Sequence, residues 1–80
     1  MTRVSVPSQV GTLLAARRKA LGLSQAAVAA RLGISQNRLS ELEAEPGHLT
    51  LDRLLALTGL LGLELVLQEK PDTPPTQSEW

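Results

Sequence analysis

Residues 24–43 read SQAAVAARLGISQNRLSELE, and this run decides the fold. Ser24 and Ser35 each stand directly before a short helix-forming segment, where a hydroxyl oxygen can accept from a backbone N–H of the first turn. In the first segment Val28, Ala29 and Leu32 form a narrow apolar stripe. In the second, Leu39 and Leu42 face inward, while Gln36, Asn37, Arg38, Ser40 and Glu41 face largely outward. Gly33 between them suits a left-handed turn, which Ile34 plugs. The expectation is two helices of about nine residues each, the second ending near Glu43.

Upstream, Pro7 fits an opening turn, a serine is at hand to cap it, and Val10, Leu13, Leu14 and Leu21 recur on one face. A helix is therefore expected from Pro7 or Ser8 to Leu21, stopped by Gly22. Downstream, Pro46-Gly47 breaks the chain and Thr50 offers another cap. Leu51, Leu54, Leu55, Leu57, Leu60 and Leu61 then make a fourth helix that is apolar on more than one side: one side packs the core and the other needs a partner. From Leu63 to Glu69 the period changes, since Leu63, Leu65 and Leu67 alternate with Glu64, Val66 and Gln68, the pattern of a half-buried strand.

Val4 and Val6 alternate only weakly, so the strand has no convincing partner within the chain. Its backbone groups need a ladder, and the economical solution is the same strand of a second subunit. A two-fold dimer of this kind would bury Leu57, Leu60, Leu63, Leu65 and Leu67 together, which suits a domain whose own core is small. The remaining stretch, PDTPPTQSEW, is polar and proline-rich and reads as a tail with nothing to fold around. Its last residue, Trp80, is the only aromatic in the sequence. The organisation expected is an N-terminal arm (1–6), a helical domain (7–62), a dimerisation strand (63–69) and a flexible tail (70–80).

Composition narrows the chemistry. The sequence has 80 residues, among them 17 Leu and 9 Ala, with no Phe, Tyr or Cys. This is a helix-forming alphabet, and the lack of cysteine excludes a disulfide scaffold or thiolate metal site. A single histidine, His48, is too little for a histidine-held metal, so neither metal nor cofactor is expected. A hydrolase built on a serine, His48 and an acid would need a pocket and an oxyanion site that four short helices leave no room for, so no enzyme is expected. No apolar run approaches the ~20 residues of a membrane span, and Met1–Val10 lacks the hydrophobic region of a secretory signal. The expected location is the cytoplasm, in association with the nucleoid.

The net charge of zero hides an asymmetry. Residues 1–40 hold no acid, and Arg3, Arg17, Arg18, Lys19, Arg31 and Arg38 give that half +6, whereas residues 41–80 carry −6. A basic half is the electrostatic footprint of a surface that meets phosphates; an acidic half suits a different partner.

Two short helices joined by a glycine turn and flanked by a helix on each side make the helix-turn-helix plan. The residues Arg18-Lys19-Ala20-Leu21-Gly22-Leu23-Ser24-Gln25, then Val28-Ala29, Leu32-Gly33-Ile34-Ser35, Leu39-Ser40 and Leu42-Glu43 resemble the Xre family of lambda repressor-like helix-turn-helix proteins over roughly residues 10–61. The resemblance implies a mostly α domain of four to five helices that binds double-stranded DNA; with the strand described above, the fold expected is that domain plus one C-terminal dimerisation strand. A major groove about 12 Å wide admits one helix, whose leading side chains meet base edges. Gln36 and Asn37 stand there, with Ser40 one turn along, and are the expected base contacts. Arg38 is placed among the phosphate contacts, although it is equally suited to a guanine. Arg17, Arg18, Lys19 and Ser35 are further candidates for the sugar-phosphate backbone, and the resemblance adds Gln25 at the front of the second helix. Competing explanations exist for some: the serines are caps in any case, and Arg17 and Lys19 would be content in water. Glu43 is expected to pair with an arginine.

The short length, the single strand, the tail and the ending Glu79-Trp80 together look like the HipB-type antitoxins of the Xre family. That likeness implies a homodimer joined by its C-terminal strands, binding an inverted-repeat operator, repressing its own toxin–antitoxin operon and neutralising a HipA-like serine/threonine kinase toxin, with Trp80 as the toxin-binding residue. The alternatives are a stand-alone phage-type repressor with no toxin, and a protein-interaction inhibitor whose DNA binding is vestigial.

Overall fold

Two devices set most of the helix ends: a hydroxyl cap starts the last three of the four α-helices, and a left-handed glycine stops the first, second and fourth. The computed structural model describes residues 2–70, with the elements α1 (Pro7–Ala20), α2 (Gln25–Leu32), α3 (Gln36–Ala44), a single 3-10 turn (Pro46–His48) and α4 (Leu51–Leu60). At the N-termini of α2, α3 and α4, the hydroxyls of Ser24, Ser35 and Thr50 accept from the N–H groups of Ala27, Arg38 and Arg53 at 3.0, 3.0 and 3.1 Å. Each such cap stabilises by about 1 kcal/mol.

At the C-termini of α1, α2 and α4, a glycine in the left-handed region is followed by a large apolar residue: Gly22-Leu23, Gly33-Ile34 and Gly62-Leu63. In all three, the apolar residue's N–H reaches back five positions, Leu23 to Arg18 O, Ile34 to Ala29 O and Leu63 to Thr58 O, at 3.0, 3.0 and 2.8 Å. Leu23 and Ile34 then pack against the core, so the turns are part of it. Helix α1 opens differently from the expectation. No serine caps it; the Gln9 side-chain oxygen reaches back to accept from the N–H groups of Ser5 and Val6.

The core gathers Leu14 of α1, Val28 and Ala29 of α2, Leu39 of α3, and Leu57 and Leu61 at the end of α4. Helix α1 packs across α3, and α2 packs on α3 and α4. The crossing of α1 over the end of α3 is tight enough to require glycine: a Cβ on the buried Gly11 would overlap the Glu43 carbonyl oxygen and press on Pro46 Cγ at 3.1 Å. Leu21, expected on the inner face of the first helix, is exposed, because it lies in the turn that α1 has already left.

One expectation for the C-terminal half is corrected, and another is not met within a single chain. Leu57 was assigned to a dimer interface, but it is 1 % exposed and closes the core of the single chain. The inward side of α4 is Leu54, Leu57, Thr58 and Leu60, with Leu61 just beyond its end, leaving Leu51 and Leu55 exposed. Residues 63–69 form no strand among the described residues, since a strand is defined by a ladder and one chain offers this segment none. Leu63, Leu65, Val66 and Leu67 are exposed there, Leu67 at 91 %. Trp80 and the rest of the proposed tail from residue 71 lie outside the described residues. No described helix is long and apolar enough to cross a membrane.

Two glycines should respond oppositely to alanine. Gly11→Ala must displace backbone at the α1–α3 crossing and is expected to cost about 2 kcal/mol or more. Gly59→Ala, in helical backbone with open space around it, is expected to gain up to about 1 kcal/mol. Denaturant unfolding of the two variants, compared with the unsubstituted chain, measures both.

Candidate nucleic-acid interface

Helix α3 has a sharp division between faces. Leu39 and Leu42 are buried, whereas Gln36, Asn37, Arg38, Ser40 and Glu41 are all exposed. The three neutral polar side chains expected to touch bases, Gln36, Asn37 and Ser40, thus share the outer surface of a helix whose other side is locked into the core. Ser35 spends its acceptor on the cap to Arg38 N–H, which leaves its hydroxyl proton available to an outside oxygen. Arg38 Nη1 donates to Glu41 Oε1 at 3.2 Å in an exposed ion pair.

What holds α3 in place is a largely buried charged cluster. Arg18 Nε donates to Glu43 Oε2 at 2.8 Å and Arg18 Nη2 to Glu43 Oε1 at 3.2 Å, with both side chains 9 % exposed. Arg18 Nη1 also donates to Leu23 O at 3.0 Å, in the turn between α1 and α2. Gln25 Nε2 completes the set by donating to Glu43 Oε1 at 3.0 Å. One carboxylate therefore ties α1, the first turn of α2 and the end of α3 together. Every buried side-chain polar atom among the described residues has a partner.

This cluster corrects one assignment and refines another. Arg18, expected on the sugar-phosphate backbone, is buried with each guanidinium nitrogen hydrogen-bonded inside the protein, because it is the counter-charge for Glu43. Gln25 keeps its place at the front of α2, but Glu43 holds its amide N–H, which orients the side chain. The first-turn N–H groups of Gln25 and Ala26 lie outside the helix's own ladder, where an anion can meet them.

The remaining basic candidates divide. Lys19 is exposed in the last turn of α1. Arg17 is half-buried, and its Nε donates to Leu61 O at 2.8 Å, joining the end of α1 to the end of α4. Sequence reasoning missed two such contacts: Arg17 with Leu61, and Arg53, whose Nη1 donates to Leu32 O at 3.1 Å. Both are arginines answering helix-end carbonyls, for which the composition gave no signal. No cluster of potential metal ligands occurs among the described residues.

Residues 14–68 match the family described as Helix-turn-helix, a stretch that runs from within α1 through the turn and α4 into the segment beyond. No curated protein matches the chain.

The buried pair predicts a stability signature. Arg18→Ala or Glu43→Ala alone leaves a charge without its counter-ion and is expected to destabilise by about 3–5 kcal/mol. The double replacement Arg18→Met with Glu43→Leu should recover most of that loss. Urea midpoints of the three variants test this, and equal losses in the double and single variants would argue against it.

Proposed function

The chain belongs to the Xre-type helix-turn-helix family, a family of DNA-binding regulators, and from that premise we propose that it is a sequence-specific repressor that grips an inverted repeat as a homodimer. The single observation that carries this reading is the outer face of α3: Gln36, Asn37 and Ser40 stand exposed and neutral on a helix immobilised from behind by Leu39, Leu42 and the Glu43 cluster. Side-chain amides donate and accept at adjacent atoms of adenine, which makes Gln36 and Asn37 the direct readers. Ser40 reads alongside them. Lys19, Ser35, Arg38, Arg17 and the front of α2 with Gln25 meet phosphates, the contacts that position without specifying.

A second copy completes the module. Leu60 is half-buried, and Leu63, Leu65 and Leu67 are exposed in a segment whose backbone has no ladder. Pairing of residues 63–69 across a two-fold axis covers those leucines and supplies the missing hydrogen bonds. It also sets two α3 helices about 34 Å apart, one turn of B-DNA.

The finer reading makes this repressor a HipB-type antitoxin, silencing its own operon in the cytoplasm and neutralising a HipA-like kinase toxin through Trp80. Its support is the likeness in pattern together with the chemistry of an indole, which removes ~150–250 Å² from water when a partner buries it. A stand-alone phage-type repressor differs only in lacking a kinase gene beside its own. A protein-interaction inhibitor with vestigial DNA binding would shift no promoter fragment.

Three outcomes are expected. Asn37→Ala relaxes preference at one position of each half-site by about 1–3 kcal/mol, while Lys19→Ala weakens all duplexes alike and flattens the salt slope by about 1; footprinting and salt titration on the chain's own promoter separate them. Leu65→Asp converts dimer to monomer in sedimentation while leaving the helical circular dichroism unchanged. Purified chain inhibits autophosphorylation of the neighbouring kinase, and Trp80→Ala abolishes that inhibition without affecting the promoter footprint.

A further inference from the structure

Glu41 is the first acidic residue of the sequence, and it falls on the exposed face of α3. If α3 is the reading helix, as proposed above, this is the surface that a phosphate-rich duplex approaches, and a carboxylate there opposes every non-specific encounter. Its structural value is small: the ion pair with Arg38 is three residues apart on an open surface, with Glu41 65 % and Arg38 50 % exposed. Arg38 Nη1 donates to Glu41 Oε1 at 3.2 Å, so the charge of the one arginine on this face is balanced by its neighbour. The other exposed side chains at the front of the helix, Gln36, Asn37 and Ser40, carry no charge.

We propose that Glu41 is a specificity-determining residue that demands a cytosine at one position of each half-site. In the major groove a carboxylate can only accept, and cytosine N4–H₂ is a donor free of a neighbouring acceptor on its own base edge. Thymine O4 and guanine O6 and N7 repel it, and adenine sets N7 beside its amino group. Residues 38 and 41 are about 4.5 Å apart along the helix axis, a span comparable to one base-pair step. Engagement of Glu41 by cytosine therefore frees Arg38 for an adjacent guanine or phosphate. On any other sequence the carboxylate meets no donor on the duplex and keeps Arg38 paired, so the couple gives up non-specific affinity in exchange for selectivity.

The experiment is selection from a library of randomised duplexes of about 20 base pairs by the full-length chain and by E41A and E41Q, followed by titration of each with the winning duplex and with a scrambled one. Glu41 is exposed, so all three proteins are expected to melt alike. The unsubstituted chain should enrich an inverted repeat with cytosine fixed at one position per half. E41A should lose that cytosine alone, and E41Q should replace it with adenine, which a glutamine amide binds in two places. Both variants should bind the scrambled duplex about fivefold more tightly at low salt. Retention of the same cytosine by E41A, or weaker binding of the scrambled duplex by both variants, overturns the proposal while leaving α3 as the reading helix. Enrichment of no sequence by the unsubstituted chain overturns the reading of α3 itself, and this inference with it.

Discussion

The position of α3 depends on one carboxylate. Glu43 receives Arg18 through two N–H groups and Gln25 through a third, and the same residue's backbone oxygen lies against Gly11 of α1. Side chain and main chain thus fix the end of α3 from two directions, one by charge and one by close approach. A pair this buried is a poor source of net stability, since desolvating both ions offsets most of their attraction. Its effect here is geometric. An apolar replacement of similar volume would fill the space but would not orient Gln25, which registers α2 against α3, or tether the Leu23 carbonyl, which ties the turn to α1.

The arginines show how far charge counting can mislead. A basic half-chain reads as a phosphate-binding surface, yet Arg18 neutralises a buried acid, Arg17 answers the carbonyl of Leu61, and Arg38 is occupied by Glu41. Arg53, from the acidic half, answers the carbonyl of Leu32. Guanidinium groups are planar and carry five donors, so they serve helix-end carbonyls and carboxylates as readily as phosphates. Lys19 and Arg31, exposed and in no ion pair among the described residues, carry more of the outward positive field than the raw sum suggests.

Local chemistry was legible in the sequence; anything requiring a choice between faces was less so. Ser24, Ser35 and Thr50 announced three helix starts, and Gly22 and Gly33 two stops, because caps and left-handed turns are decided by a few adjacent residues. The outward row of α3 was legible for a similar reason: only two leucines interrupt it. Helix α4 was not, since five leucines ring it, with Leu61 just beyond, and periodicity cannot rank them; Leu57 went to the core and Leu55 to the surface. The C-terminal alternation from Leu63 to Leu67 is real in the sequence, but a strand is a property of two segments, and the second is absent from a single chain. Gln9 as the cap of α1 was missed because the more familiar serine stood beside it.

The same division explains how a domain this small can change its outer chemistry without losing its fold. Leu39, 0 % exposed, and Leu42 carry the packing of α3, whereas Gln36, Asn37, Ser40 and Glu41 lie exposed on its outer side. Substitutions on the outer row therefore alter the donors and acceptors offered to a ligand at little cost in stability. Substitutions at Gly11, Arg18 or Glu43 leave the outer row's chemistry intact but move the helix that presents it. Exposed and packed residues are interleaved along one nine-residue helix, and the alternation between them is set by its period of 3.6. The outer row is thus free to diverge while the inner row holds the geometry in which any divergence is presented.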